Sequence, residues 1–275
     1  MDFTDKIAAS RKMIEFISED FLQNGRPFII QNEFELIREL IVLYAKQTNL
    51  FESIIVLLEN NQNEEALILN RSLINNAFLI HYLYNKNSDK RYKDYKIQHV
   101  KSNLKRFNKY KSMLEKGYFE NVDFQPLEME EVEEKIADLE SILINNGYVN
   151  NQGKVKTNLL TVSSMAEEDP LLYSYYAHNY DIGSRYEHSD SLSLNIYKQP
   201  ALDADGVFII DLSQTDEELG EEVIDASLQM YILTFVRLTE YIERACPILY
   251  EKLLLGRAMM LANEYFLFLE NQNNN

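Results

Sequence analysis

Apolar residues recur every three or four positions along most of the chain, the spacing that gathers them on one side of an α-helix. Phe3, Ile7, Ile14, Phe16, Ile17 and Phe21 keep that spacing, so a first helix is predicted over residues 3–23, ended by Asn24-Gly25 ahead of Pro27. Leu36, Leu40, Leu43, Tyr44, Leu50, Phe51, Ile54 and Leu58 carry the pattern over residues 31–60, with Gln47 the one seam position that is not apolar. The amide run Asn60–Asn63 makes a short connection, which sets the third helix, about Glu64–Tyr84, antiparallel to the second. That third helix is apolar almost all round, as a helix central to a core must be. Further helices are predicted over residues 88–116, 127–146, 158–167 and 169–190, and a closing pair spans 216–244 and 247–270. Between them, Ser191–Gln199 and Gly206–Ser213 have strand character around the turn Asp203–Gly206, so a small β-hairpin or ordered loop is expected within 191–213.

The pattern therefore predicts an all-α protein, an antiparallel bundle of about seven to eight helices, and one helical domain over residues 1–275 is the simplest account. Composition agrees. Hydrophobic residues make up 46% of the chain, while 8 Gly and 5 Pro are too few turn-formers for a many-stranded sandwich or barrel. A net charge of −17 repels nucleic-acid phosphates over most of the surface, so a nucleic-acid role needs a local exception. The single cysteine, Cys246, excludes an intramolecular disulfide and reads as a small buried hydrophobe. With no apolar signal-like run at the N-terminus, the reading is a cytoplasmic protein without a membrane span.

The stretch Asp169–Asp190 carries the densest chemistry. Asp169 is a good N-cap and Pro170 suits the first helical position. Counting by fours from Tyr176 reaches Tyr180, Ser184 and His188, which puts two phenols, a hydroxyl and an imidazole on one face. Asp181 and Arg185 form an i,i+4 pair beside it. Gly183 sits inside this helix, where it costs about 1 kcal/mol relative to alanine, so a close backbone or ligand approach is expected there. On the third helix Arg71 and Asn75 lie one turn apart, and a guanidinium so far inside must meet a carboxylate, carbonyls or an anion. Asn70 and His81 share a different face.

Charge is segregated in the middle of the chain. Lys90–Lys111 holds nine Lys or Arg against Asp94 alone, and Glu115–Ser141 holds ten acids against two lysines. One reading of the basic run is an RNA or phosphate contact with interleaved tyrosines. The other is charge pairing between adjacent antiparallel helices, or a solvated face. The four histidines include no H-x-x-x-H pair, and none has an acid three residues before it, so no metal is expected. G-x-S-x-G, Walker A and G-x-G-x-x-G sequences are absent, and no cofactor is expected.

Two segments together resemble a known family. The A-x-x-L-x-R-S-L core at Ala66–Leu73 and the Y-x-x-x-S-x-x-x-H-S run at Tyr180–Ser189 look like a bacterial family of helical proteins, domain of unknown function 5677, over roughly residues 40–190. The resemblance implies an all-helical fold with the arginine helix beside the Tyr/Ser/His helix. In that family the arginine helix usually continues R-S-L-x-E, whereas this chain has Asn75 at the acid position. A more distant likeness, at fold level, is to HEPN-type helical ribonucleases of toxin and phage-defence systems, which use an Arg and a His four to six residues apart at a dimer interface. Arg185 and His188 have two residues between them and Arg91 and His99 have seven, so that spacing is missing.

Two functions stay open at this point. In the first, a homodimeric enzyme acts on RNA or a small anionic ligand. His188 is its acid or base, Arg71 or Arg185 meets the anion, Ser184 and Tyr180 lie alongside, and Asn75 and Tyr176 contribute to binding. In the second, the same residues form an internal network of a non-catalytic interaction or ligand-sensing module, and the acidic surface or the 191–213 segment binds a protein partner.

Overall fold

The computed structural model describes residues 3–18, 32–120, 125–191, 193–201, 207–211 and 215–245. The predicted stop at 24–25, the turn at 203–206, Cys246 and the helix expected over 247–270 lie outside them. Ten α-helical segments occur among the described residues: α1 (Phe3–Phe16), α2 (Glu35–Glu59), α3 (Asn63–Tyr84), α4 (Ser88–Lys96), α5 (Gln98–Glu115), α6 (Met129–Asn145), α7 (Val162–Ala166), α8 (Pro170–Tyr175), α9 (Asp181–Glu187) and α10 (Glu217–Ala245). The helix expected over 88–116 is split at Ile97 into α4 and α5, and the one expected over 169–190 is interrupted by a π-helical turn, Tyr176–Tyr180, between α8 and α9. Counted as two helices rather than four, these leave about eight, and the fold is all-α as expected.

Where the sequence reading treats residues 1–275 as one domain, the chain divides into two compact units: residues 1–86 with 162–275, and residues 87–161. In the first unit α2, α3 and α10 form the core. Tyr44 and Tyr231 stack at 5.3 Å, Phe51 lies 4.8 Å from Tyr231, and all three rings are buried; each contributes roughly 2–3 kcal/mol of apolar burial. Polar residues fix the register. Asn76 Nδ2 donates to the Leu43 carbonyl at 2.8 Å, Asn70 Nδ2 to Ser227 Oγ at 2.7 Å, and Tyr44 Oη to the Tyr231 carbonyl at 3.3 Å. α3 thus runs antiparallel to α2 and parallel to α10. Glu64 accepts from the Asp216 N–H at 3.0 Å, and Asp216 Oδ1 in turn accepts from the Leu219 N–H at 3.2 Å, so two acids serve the start of α10. Gln47 is fully buried, and neither amide atom has a hydrogen-bond partner among the described residues.

α2, with the turn before it, is long and apolar enough to cross a membrane by length and composition. Eleven of its residues, from Ile37 to Leu58, are buried, which is also the pattern of a core helix. The predicted hairpin is present as β1 (Lys198–Pro200) and β2 (Phe208–Ile210), antiparallel, with Gln199 opposite Ile209.

In the second unit α5 packs on α6 around Ile97, Val100, Leu104 and Leu143. A reciprocal capping box, Glu128 with Glu131, starts α6. Lys101 Nζ lies 4.6 Å above the Tyr148 ring and donates to the Asn158 carbonyl at 3.3 Å, while Tyr148 Oη donates to Asp94 at 2.8 Å.

Candidate functional site

α3 and the 170–187 helix come together because of a glycine. A Cβ placed at Gly183 would stand 2.9 Å from Arg71 Cβ and 3.2 Å from the Leu67 carbonyl oxygen, so only glycine lets α9 approach α3 this closely. The close approach expected at Gly183 is thus one of backbone and the root of Arg71.

The arginine does meet a carboxylate. Its Nη1 forms an ion pair with Glu187 Oε2, its Nη2 donates to Tyr180 Oη at 2.9 Å, and its guanidinium lies 4.5 Å from the Tyr180 ring centroid. Tyr180 stacks on Tyr176 at 5.3 Å, and Tyr176 lies 5.9 Å from Tyr173, so the cation caps a short ladder of phenol rings. The Arg71 side chain is 19% exposed, and its Nε is buried without a hydrogen-bond partner among the described residues.

The stripe counted by fours is altered by this packing. Tyr180, Gly183 and Glu187, at i, i+3 and i+7, face α3, whereas His188 is 72% exposed at the helix end, with Nε2 3.9 Å from the Glu187 oxygen that Arg71 uses. Arg71 and His188 therefore converge on one carboxylate. The sequence reading left out that carboxylate, although the same three-and-four count that gave Tyr180 also reaches Glu187. Ser184 is half-buried and its carbonyl accepts the His188 N–H at 3.1 Å, and Asn75 is half-buried on α3. Arg185 pairs with Asp181 at 3.1 Å on the exposed side, as the spacing predicts.

A second polar cluster lies where α3, α8 and α10 meet, beside a pocket of about 220 Å³ lined by His81, Tyr84, Asp169, Arg237 and Glu240 among others. His81 is buried, with Tyr84 Oη 2.5 Å from Nδ1 and Thr234 Oγ1 3.2 Å from Nε2. Burial first, then the nearby Arg237 charge, pushes its pKa down to about 3 against the opposing pull of Asp169. The imidazole is therefore neutral, one ring nitrogen donating and the other accepting between the Tyr84 and Thr234 hydroxyls. Arg237 Nη1 holds Asp169 at 2.5 Å, and the same carboxylate caps α8 through the Leu171 N–H at 2.8 Å. Sequence reading placed the Asp169 cap and the separate face shared by Asn70 and His81. It had no signal for Arg237, 68 residues away from its partner.

In the second unit the charge runs meet at Lys111 and Glu133, 2.6 Å apart. Lys93, Lys105, Arg106 and Lys109 are exposed.

A model of a protein family described only as one of unknown function matches residues 39–202, well over half of the chain, including α3 and all of α8 and α9. No curated protein and no solved structure matches it.

Proposed function

We propose that this chain, which belongs to the DUF5677 family of unknown function, is a non-catalytic protein-interaction module in which the Arg71 network clamps the 170–187 helix to α3. The observation that carries this reading is that the arginine head is already engaged by Glu187 and Tyr180. An anion using Arg71 must displace that carboxylate, and the same carboxylate, 3.9 Å from His188, repels an anion approaching the imidazole. In this reading the protein works as a homodimer in the cytoplasm. The test is incubation of purified full-length protein and His188→Ala with total RNA. Neither form is expected to cleave it; cleavage that His188→Ala abolishes, at an unchanged melting temperature, overturns the reading.

A second reading, binding of RNA or a small anionic ligand by residues 87–161, is favoured by the exposed lysines and arginine of α4 and α5. It predicts salt-sensitive RNA binding, log K falling by about 0.7 per phosphate contact for each decade of salt, that Lys105→Glu with Lys109→Glu removes.

A further inference from the structure

Among the described residues, strand β2 with Val207 before it is the longest continuous run of exposed large apolar side chains. Val207, Phe208, Ile209 and Ile210 are 50%, 63%, 55% and 64% exposed, a run of four apolar residues with no charge. Among the described residues its backbone is also half unused. The Val207 carbonyl accepts from the Ala201 N–H at 2.9 Å, the Asp211 N–H donates to the Tyr197 carbonyl at 3.2 Å, and Ile209 lies opposite Gln199. Residues 207, 209 and 211 therefore turn their peptide groups towards β1, and by the alternation of an antiparallel ladder Phe208 and Ile210 turn theirs outward.

The two edges of the hairpin differ. On β1 the outward-turned residues are Lys198 and Pro200, paired with Ile210 and Phe208. Proline has no N–H to offer and lysine brings a charge, two features that blunt a strand edge against pairing. β2 carries neither.

Resting on the reading of the chain as an interaction module, we infer that β2 is the docking edge for β2 of a second copy, paired antiparallel about a two-fold axis at Ile209. In that register Phe208 of each copy faces Ile210 of the other, and the four outward N–H groups meet the four outward carbonyls. Ile209 faces its own counterpart, and Asp211 falls opposite Val207 rather than another aspartate. The run is thus complementary to itself, and it lets two chains of net charge −17 meet without opposing acids. β2 lies beyond the span matched by the family, residues 39–202, so the contact is assigned to this chain rather than to the family. Four residues a side are far fewer than the roughly 20–30 a side of a stable interface. The dimer is accordingly weak and reversible, and salt strengthens it by screening the net charge.

The experiment is sedimentation velocity of the full-length protein, with Cys246→Ser to remove the native thiol, from low to high micromolar concentration. A reversible monomer–dimer equilibrium that rises with salt is expected. Ile209→Lys, which sets two cations face to face on the axis, abolishes it. Phe208→Pro removes an outward N–H from each copy while sparing the bonds to β1, and weakens the dimer by about tenfold. Ile209→Cys forms an intermolecular disulfide under mild oxidation, because the two Cα atoms would lie roughly 4.5 Å apart, whereas Val207→Cys does not. A protein that stays monomeric at every concentration overturns the inference. So does a dimer indifferent to Ile209→Lys, or a monomer whose β2 amides resist hydrogen exchange because another segment of the same chain covers the edge. RNA cleavage sensitive to His188→Ala would sink the module reading and leave the sedimentation result unchanged, so the two failures are distinguishable.

Discussion

Gly183→Ala sets helix propensity against packing. On an isolated helix the exchange stabilises by about 1 kcal/mol. Here the added methyl would lie 2.9 Å from Arg71 Cβ and 3.2 Å from the Leu67 carbonyl oxygen. Neither neighbour is the tip of a flexible side chain: one is rooted on α3 and the other is its backbone. α9 must back away by several tenths of an ångström, and overpacking of this kind costs about 1–3 kcal/mol. The same retreat loosens the Arg71 contacts to Tyr180 and Glu187. The net expectation is a loss on the order of 1–2 kcal/mol, a fall in melting temperature of about 2–6 °C for a chain of this size. Urea and thermal unfolding followed by circular dichroism measure it, and Gly183→Val should cost more than Gly183→Ala. If Gly183→Ala is as stable as the parent or more so, propensity has won, and the account of why α9 sits against α3 is wrong.

Three other substitutions test the remaining buried chemistry. Gln47→Met replaces an amide with no described partner by an apolar side chain of similar length, and urea unfolding should show stabilisation of about 1–3 kcal/mol; destabilisation would mean that the amide is hydrogen-bonded in solution. For His81 the folded pKa, about 3, lies below the ordinary 6.5, so the neutral ring's stabilisation is complete above pH 6.5. It is lost at about 1.4 kcal/mol per pH unit as the pH falls towards the folded value. His81→Gln should flatten that slope in unfolding curves taken across the window; an unchanged slope refutes the buried neutral imidazole. Burial alone would raise the Asp169 carboxyl, but the Arg237 hydrogen bond and the Leu171 amide bring it below the ordinary 3.8. A depressed folded pKa stabilises above pH 3.8, and the gain disappears as the pH falls through the folded value. Asn still caps a helix, so Asp169→Asn should cost about 1–3 kcal/mol at neutral pH through Arg237 alone, with the deficit to the parent closing below pH 3.8; a deficit constant with pH would refute the ion pair.

The helices were legible because their signal is local. Apolar spacing placed α2, α3 and α10 within a few residues, Asp169 and Pro170 marked the start of α8, and the glycine at 183 announced a close approach before its neighbour was known. The short strands could be read from the apolar run around residues 207–210 and the turn-formers before it. The break at Ile97 was not legible, because the apolar spacing continues through it.

What the chain could not specify locally was which polar groups meet. Arg71 demanded an anionic or carbonyl partner by its burial alone, but Glu187 became that partner only through the crossing of α3 with the 170–187 helix. From Tyr180 the three-and-four count returns to the α3 face at Glu187, while His188, one residue further and the C-cap of α9, lies about 80° round the helix and stays in solvent. His81, Tyr84, Asp169 and Arg237 were likewise assembled from three helices. Periodicity records which face of an element is buried, since burial repeats with the helical turn. The pairing of charges distant in sequence depends on crossing geometry and on where a glycine permits contact, and that is settled only when the helices pack.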